Sequence, residues 1–590
     1  MDANQKIGHN GNPQTMRPMP QSVRGWKWWA NVKDRYFAQI AEHADGFGRA
    51  SAFPDIERLK KVRIFDTTGR DGMQMPDAFI TVAGGITATQ NKIDIAVELA
   101  KWGIPIIEVG SAMSSPEEKM AIREAKRRVM KLGLPSEIVS LARMNRKDIE
   151  EAWGPDVGTD SIHPDIIHLF SSGSDPHTWV KFGKMPKDVI PDIVDSVTYA
   201  QQIGFRKMVV SLEDAARTDP KHLVEVASAV NEIAKARGVE VHYNIPDTIG
   251  VADPVYMFAL ISYIHKKVPS LPLQVHCHND LGRAVDNSLA AIYAGVSEVH
   301  ATMHGMGERT GNAALEQIVM NLYTRHGVAL VDPHQISRIS EFIRQRSGVD
   351  APVNAPVIGR NAFRHESGVH GDAVDKSNRM GYGRRKGVDG GSVYAPFNPA
   401  VIGRKEEMGI GPLCGRANVE YRLAEFGITV PDDKIADIVE KVKRMSDSAK
   451  VSDADFILMA YESVKEKPCE KVRISEIDVW IAMSGARAYV QLGLNGHYRK
   501  AGGDGNGPVD AAVEAIKNAL GRHSMDIVAY ENKSIGQGSD AGARVTVTVK
   551  KRRGKIRIES SAVGTDTVLI AVEAFRKGYN AMCALETLRK

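Results

Sequence analysis

Eight short runs rich in β-branched residues recur between residues 60 and 305, each followed by a stretch long enough for a helix. They cover 62–68, 106–110, 137–143, 166–171, 207–213, 239–246, 273–279 and 298–305. Strands separated by helices pair in parallel, and eight such units in roughly 250 residues predict a closed (β/α)8 TIM barrel. The competing architecture, a doubly wound open sheet, lacks its signature. Gly305-Met306-Gly307-Glu308-Arg309-Thr310-Gly311 holds one residue too many for GxGxxG and stands outside the usual first-strand context.

At 590 residues the chain is too long for one ordinary domain, and about three or four modules are expected. Residues 331–465 are helical but irregular, interrupted by the glycine-rich 381–391 and by Ala395-Pro396-Phe397-Asn398-Pro399. From about 470, strand-like alternation at 486–494 and 543–549 is followed each time by a helix-like stretch, 509–520 and 565–576, as in a duplicated strands-then-helix unit. The expected division is an N-terminal extension (1–55), a catalytic barrel (56–330), helical connector subdomains (331–468) and an α+β regulatory domain for ligand sensing or dimerisation (469–590). Trp26, Trp28 and Trp29 read as a staple for the extension, and Lys550-Lys551-Arg552-Arg553-Gly554-Lys555 as an exposed hairpin turn.

Composition narrows the function. A net charge of +5 from 77 basic and 72 acidic residues is too even for a nucleic-acid protein, though it suits an anionic small ligand. Cys277, Cys414, Cys469 and Cys583 form no CxxC pair, the first 22 residues are polar, and no apolar run approaches a membrane span. A cytoplasmic protein without membrane attachment is expected.

A barrel of this kind keeps its chemistry at the C-terminal ends of the strands. The seventh run ends in His276-Cys277-His278-Asn279-Asp280, and residues two apart on a strand share a face. Two imidazoles with a carboxylate from elsewhere make a three-ligand divalent site with positions left for substrate. Asp71, just past the first run, is the candidate carboxylate. His168, Glu213 and Thr248 fall on the same predicted rim.

Three motifs in order, Asp66-Thr67-Thr68-x-Arg70-Asp71-Gly72-x-Gln74, His276-Cys277-His278-Asn279-Asp280-Leu281-Gly282 and Gly305-x-Gly307-Glu308-Arg309-x-Gly311-Asn312, resemble those of the DRE-TIM metallolyases. More narrowly the chain resembles the 2-isopropylmalate, citramalate and homocitrate synthase group. The likeness continues through His365-Glu366-Ser367-Gly368-Val369-His370 and into Gly505-Asn506-Gly507-Pro508-Val509-Asp510-Ala511, similar to that group's allosteric domain. Gly69 replaces the usual Leu, Met73 the frequent Glu, and His304 the usual Asn, while Gly411-Pro412-Leu413-Cys414-Gly415 stands where a Gly-Lys-His-Ser-Gly segment is usual. Gly69 and Met73 flank Asp71, where the family shapes its pocket.

The resemblance implies an acyltransferase. The methyl carbon of acetyl-CoA adds to the ketone of a 2-oxo acid, foremost 2-oxoisovalerate, and thioester hydrolysis releases CoA and 2-isopropylmalate, a step of leucine biosynthesis. Citramalate, homocitrate or another 2-alkylmalate is the alternative product. A retro-aldol or retro-Claisen lyase and a non-catalytic relative are alternatives of other classes. Asp71, His276 and His278 would hold Mg, Mn, Zn or Co, and Arg70 would add a fixed cation at the ketone oxygen. Glu213, His370 and Tyr394 are the implied candidates for the base, Thr248 for the oxo acid carboxylate, and His168 and Arg143 for further substrate contacts. A homodimer or higher homo-oligomer is implied, with the connector of one subunit reaching the other's active site and an end-product amino acid as effector.

Overall fold

The computed structural model describes residues 27–589 apart from 77, 79–86, 155–161, 382–390, 392, 495, 522–524, 539–540 and 553, and omits the side chains of 27–32 and 378–379. The expectations for Trp26, for the side chains of Trp28 and Trp29, for most of the glycine-rich 381–391 and for Arg553 therefore lie outside the described residues. The chain forms two compact units, one of residues 1–362 with 399–404, the other of 363–398 with 405–590.

In the first unit, β1 (Arg63–Asp66), β2 (Ile106–Gly110), β3 (Glu137–Arg143), β4 (Ile166–Ser172), β5 (Lys207–Glu213), β6 (Glu240–Asp247), β7 (Leu273–Cys277) and β8 (Glu298–Ala301) close into a parallel barrel, β1 pairing with β8. The expected TIM barrel is present, with β1, β7 and β8 shorter than predicted. β7 stops at Cys277 because His278 instead bridges Asn312, and β8 stops at Ala301, before a tight turn that puts His304 at φ 60°. Thr87, Ser115, Asn145, Ser174, Asp219 and Asp253 each accept a hydrogen bond from a backbone N–H in the first turn of the following helix. Caps of this kind contribute about 1 kcal/mol apiece and fix the loops on the rim where substrate must bind.

Described residues of the extension hold it to the barrel. Helix Lys27–Ile40 buries Tyr36 and Ile40, and Phe37 meets Tyr256 of helix Pro254–Lys267 with ring centroids 6.2 Å apart. Among the described residues no helix is long and apolar enough to cross a membrane.

The barrel floor, at the N-terminal ends of the strands, is ionic. Arg63 pairs with Glu137 (3.1 Å) and with the buried Glu298, and Lys207 also reaches Glu137 (2.9 Å). Buried His242 bonds Glu298 through Nδ1 (2.9 Å) and Glu240 through Nε2 (2.8 Å). Burial works against the imidazolium, but the two carboxylates outweigh it and the His242 pKa is raised. A raised pKa gives stability that is complete below the unfolded value of about 6.5 and is lost as pH climbs through the folded value. The melting temperature should therefore fall above about pH 6.5, and His242→Gln should flatten that fall. An unchanged slope in the variant would remove His242 from the effect.

The second unit contains the short parallel pair β9 (Arg364–His365) and β10 (Glu407–Met408), a set of helices, and two antiparallel sheets. One sheet is β11 (Val472–Ala482), β12 (Gly485–Leu494) and β13 (His497–Gly505), followed by helix Pro508–Leu520. The other is β14 (Met525–Ile535), β15 (Gly542–Lys551) and β16 (Arg557–Gly564), followed by helix Thr567–Leu588, so the duplicated unit expected from the sequence is present. One apolar core runs from Ile410 to Leu585 through helices and sheets alike. Lys577 of the last helix pairs with Asp455 (2.8 Å), and the Asn580 side chain exchanges hydrogen bonds with the backbone of Val472 (2.8 and 3.0 Å).

Candidate active site

The loop after β1 is folded by its own polar groups. The backbone N–H and hydroxyl of Thr68 both donate to the Asp66 carboxylate (2.9 and 2.8 Å), and the Asp71 N–H donates to the Thr67 carbonyl (2.8 Å). This turn buries the Asp71 carboxylate beside the end of β7. Asp71 Oδ2 lies 3.1 Å from His276 Nε2 and 4.0 Å from His278 Nε2, and the two imidazole nitrogens are 3.3 Å apart. All three side chains are buried.

Ligand atoms about 2.1 Å from one cation sit about 3.0–3.4 Å from one another, so two of the three separations fit a shared divalent ion as they stand and the third needs a small ring adjustment. The protonation states also fit. Burial would raise the Asp71 pKa, yet Arg70 and the two imidazoles hold it well below the carboxylate range. Burial, with His276 adding to it, pushes His278 down to about 3, so that ring is neutral and ready to donate its lone pair. The donor set suits a small divalent cation with open positions.

Behind the triad runs a chain of buried polar groups. Arg70 lies 3.0 Å from Asp71 and donates through Nε to Glu108 (2.6 Å). Glu108 bonds His168 Nδ1 (2.6 Å), His168 Nε2 bonds the Ser211 hydroxyl (2.6 Å), and the Asn244 amide donates to Ser211 (2.6 Å). Glu108 was missed in the sequence motifs. Its signal was available, a lone carboxylate inside the apolar Ile106–Gly110 strand, where a fully buried acid has to be paired. Burial opposes its charge, but Arg70 and His168 hold its pKa down to about 2.

Arg70, Asp71, His168, Ser211, Asn244, His276 and His278, though not Glu108, open onto a cavity of about 250 Å³ that is also lined by Glu213, Thr248, Leu141 and Phe170. Glu213 closes β5 and takes hydrogen bonds from Lys181 (2.5 Å) and Ser172 (3.2 Å). The Thr248 hydroxyl oxygen accepts from the Asp214 N–H (2.8 Å), leaving its hydrogen to donate. Thr248 has no capping role, since Asp253 caps Pro254–Lys267.

Other expected residues sit differently. Both ring nitrogens of His168 are taken by protein groups, so it orders Glu108 and Ser211 rather than offering a free donor. Arg143 grips Asp148 through two hydrogen bonds (2.7 and 3.0 Å), is half exposed, and faces an adjoining cavity with Met73. Gly69 lies against β2 rather than in the wall of the cavity, because a Cβ there would stand 3.1 Å from the Val109 carbonyl. His304 is half-buried and bonds Ser340 (2.8 Å) outside the lining of the cavity. His370 and Tyr394 meet each other, with ring centroids 4.3 Å apart, and both belong to the second unit.

Comparison with known proteins follows the same division. The HMGL-like family model matches residues 61–343, the homocitrate synthase post-HMGL domain-like model 357–450, and the LeuA allosteric (dimerisation) domain model 450–583. The chain is 36% identical to the 2-isopropylmalate synthase of Methanocaldococcus jannaschii, over 90% of this chain and 97% of that one. It is 32% identical to the (R)-citramalate synthase of the same organism, over 88% of this chain and 99% of that one.

Proposed function

The chain belongs to the family of 2-isopropylmalate and citramalate synthases and is an acyltransferase-type synthase, and from that premise we propose that it condenses acetyl-CoA with a small 2-oxo acid, foremost 2-oxoisovalerate. The observation that carries the reading is the buried Asp71, His276 and His278 cluster with Arg70 beside it. A divalent cation bound there would act as a Lewis acid on the ketone and carboxylate of the oxo acid.

The protein's own groups do the rest. Arg70, fixed by Asp71 and Glu108, places a positive charge where the ketone oxygen becomes an alkoxide. Thr248, its oxygen held by the Asp214 N–H, turns its hydroxyl hydrogen toward the oxo acid carboxylate. Glu213, His370 and Tyr394 are the candidates to take the proton from the thioester methyl group. The new carbon–carbon bond forms at that carbon, and water then cleaves the thioester to CoA and a 2-alkylmalate. Thr248→Ala should raise the KM for the oxo acid about tenfold, the worth of one charge-assisted hydrogen bond, while Thr248→Ser restores it. Equal KM values in all three proteins would remove Thr248 from substrate binding.

The (R)-citramalate synthase relative favours a second substrate, pyruvate. Purified protein with acetyl-CoA, Mg, Mn, Zn or Co and a panel of 2-oxo acids, followed by free thiol, tests both readings. 2-Oxoisovalerate should give the highest kcat/KM; a higher value for pyruvate makes it a citramalate synthase. No thiol release with any oxo acid, alongside cleavage of a hydroxyacyl-CoA, would overturn the synthase reading in favour of a lyase.

We assign catalysis to residues 56–330, the connector to 331–468 and regulation with dimerisation to 469–590, in a cytoplasmic homodimer; the LeuA-type match supports the last segment. A branched-chain amino acid should slow the full-length enzyme, and indifference to every proteinogenic amino acid would discard the regulatory assignment.

A further inference from the structure

Helix Asp175–Phe182, which follows β4, turns one face toward the end of β5. Ser174 caps it, and Ser174, His177 and Lys181 stand at positions i, i+3 and i+7, a single stripe of an α-helix. All three meet the consecutive residues Glu213 and Asp214. Lys181 Nζ donates to Glu213 Oε2 (2.5 Å), which also accepts from the Ser172 hydroxyl (3.2 Å). The Ser174 hydroxyl donates to Asp214 Oδ2, and His177 Nε2 lies 3.7 Å from the same oxygen.

Asp214 holds φ 64° and ψ 32° and is fully buried, a left-handed conformation that persists in a residue with a side chain when its surroundings over-determine it. Here they do. Arg217 grips the carboxylate through Nε (2.8 and 3.0 Å) and Nη2 (2.7 Å), and Ser174 fixes it from the helix side. The turn at this one residue ends β5 and sends the Asp214 N–H across to the Thr248 hydroxyl oxygen (2.8 Å), in the loop after β6. Glu213 and Thr248 line the metal-site cavity, whereas Ser174, His177, Lys181 and Asp214 do not.

We infer, resting on the synthase reading, that this helix face is a positioning element with two separable tasks: Lys181 aims Glu213, and Ser174 acts through Asp214 to aim Thr248. A glutamate at the end of a strand otherwise samples several rotamers, and the Lys181 ammonium with the Ser172 hydroxyl selects one. Among the described residues both hydrogen bonds to the Glu213 side chain fall on Oε2, which leaves Oε1 for a proton from the thioester methyl group. The direction of the Thr248 hydroxyl hydrogen is set while the Asp214 N–H occupies its oxygen.

The test is steady-state kinetics of the full-length enzyme by thiol release, with the 2-oxo acid of highest kcat/KM. Lys181 is exposed, so Lys181→Met should fold; its kcat should drop about tenfold with the KM for the oxo acid unchanged, and Lys181→Arg should restore it. Ser174→Ala should do the reverse, raising that KM about fivefold with kcat held, and Ser174→Thr should restore it. Because Ser174 acts through Thr248, Ser174→Ala/Thr248→Ala should show the KM of Thr248→Ala alone. Asp214→Asn, which suits the same backbone conformation, should also raise the KM, and it serves if Ser174→Ala does not fold. Parallel losses in kcat and KM from both single variants, multiplied KM effects in the double variant, or a wild-type KM in Asp214→Asn would overturn the inference. Unchanged kinetics in the variants of an active enzyme would sink it while sparing the synthase reading. A wild type that releases no thiol from any acyl-CoA would sink both.

Discussion

Asp71→Ala should abolish metal-dependent turnover, with a fall in kcat on the order of 1000-fold or more, and the purified variant should no longer carry a divalent ion through dialysis. Asp71 is the one anion among the three candidate ligands, and its oxygen sits 3.1 Å and 4.0 Å from the two imidazole nitrogens. Without it the site offers two neutral donors beside the Arg70 guanidinium, an electrostatic setting that repels a cation. Even disturbance of a group that merely orients a ligand costs about 10- to 100-fold in metal affinity, and loss of the charged ligand itself should cost more. Metal content by mass spectrometry and turnover by thiol release decide the matter together. Retained metal with retained turnover would take Asp71 out of the site. Arg70 still has Glu108 to pair with in this variant, so the fold should survive.

Glu108→Ala should be the most destabilising single change on the rim, by about 3–5 kcal/mol in urea unfolding, because it strips a buried cation of its partner. Glu108 is fully buried and holds both Arg70 and His168 at 2.6 Å. Removing it leaves Arg70 with Asp71 alone and frees His168 to turn, so kcat should also fall on the order of 100-fold. Glu108→Gln keeps the shape and one acceptor; it should recover most of the stability and less of the activity. A Glu108→Ala protein that unfolds at the wild-type urea concentration would show that the buried chain contributes nothing to stability.

The barrel was legible because parallel strands buried on both faces read as continuous apolar runs, and the bounds expected for β2, β3 and β5 coincide with those observed. The closeness of Asp71 to the two histidines was legible because strand periodicity fixes which residues share the rim. The polar chain behind it was not, since a pattern of strands gives no pairing between side chains of different strands. In the C-terminal half, glycines obscure the pattern of strand and helix. In β13, Gly503 and Gly505 interrupt the strand pattern, yet a Cβ at either would lie 2.3 Å from the backbone of helix Pro508–Leu520, so they are what lets that helix lie on the sheet. The last helix, expected over 565–576, runs on to Leu588 through Gly578, where a Cβ would come within 2.9 Å of Val549.

The single core from Ile410 to Leu585 bears on protein engineering. A chimera meant to transplant feedback control by joining chains near residue 468 would sever Asp455 from Lys577 and leave the Asp453–Lys465 helix without the Thr567–Leu588 helix that covers it. The exchangeable cassette is larger than the sheet-bearing segment, and a graft that begins upstream of Ile410 takes its whole apolar interior along.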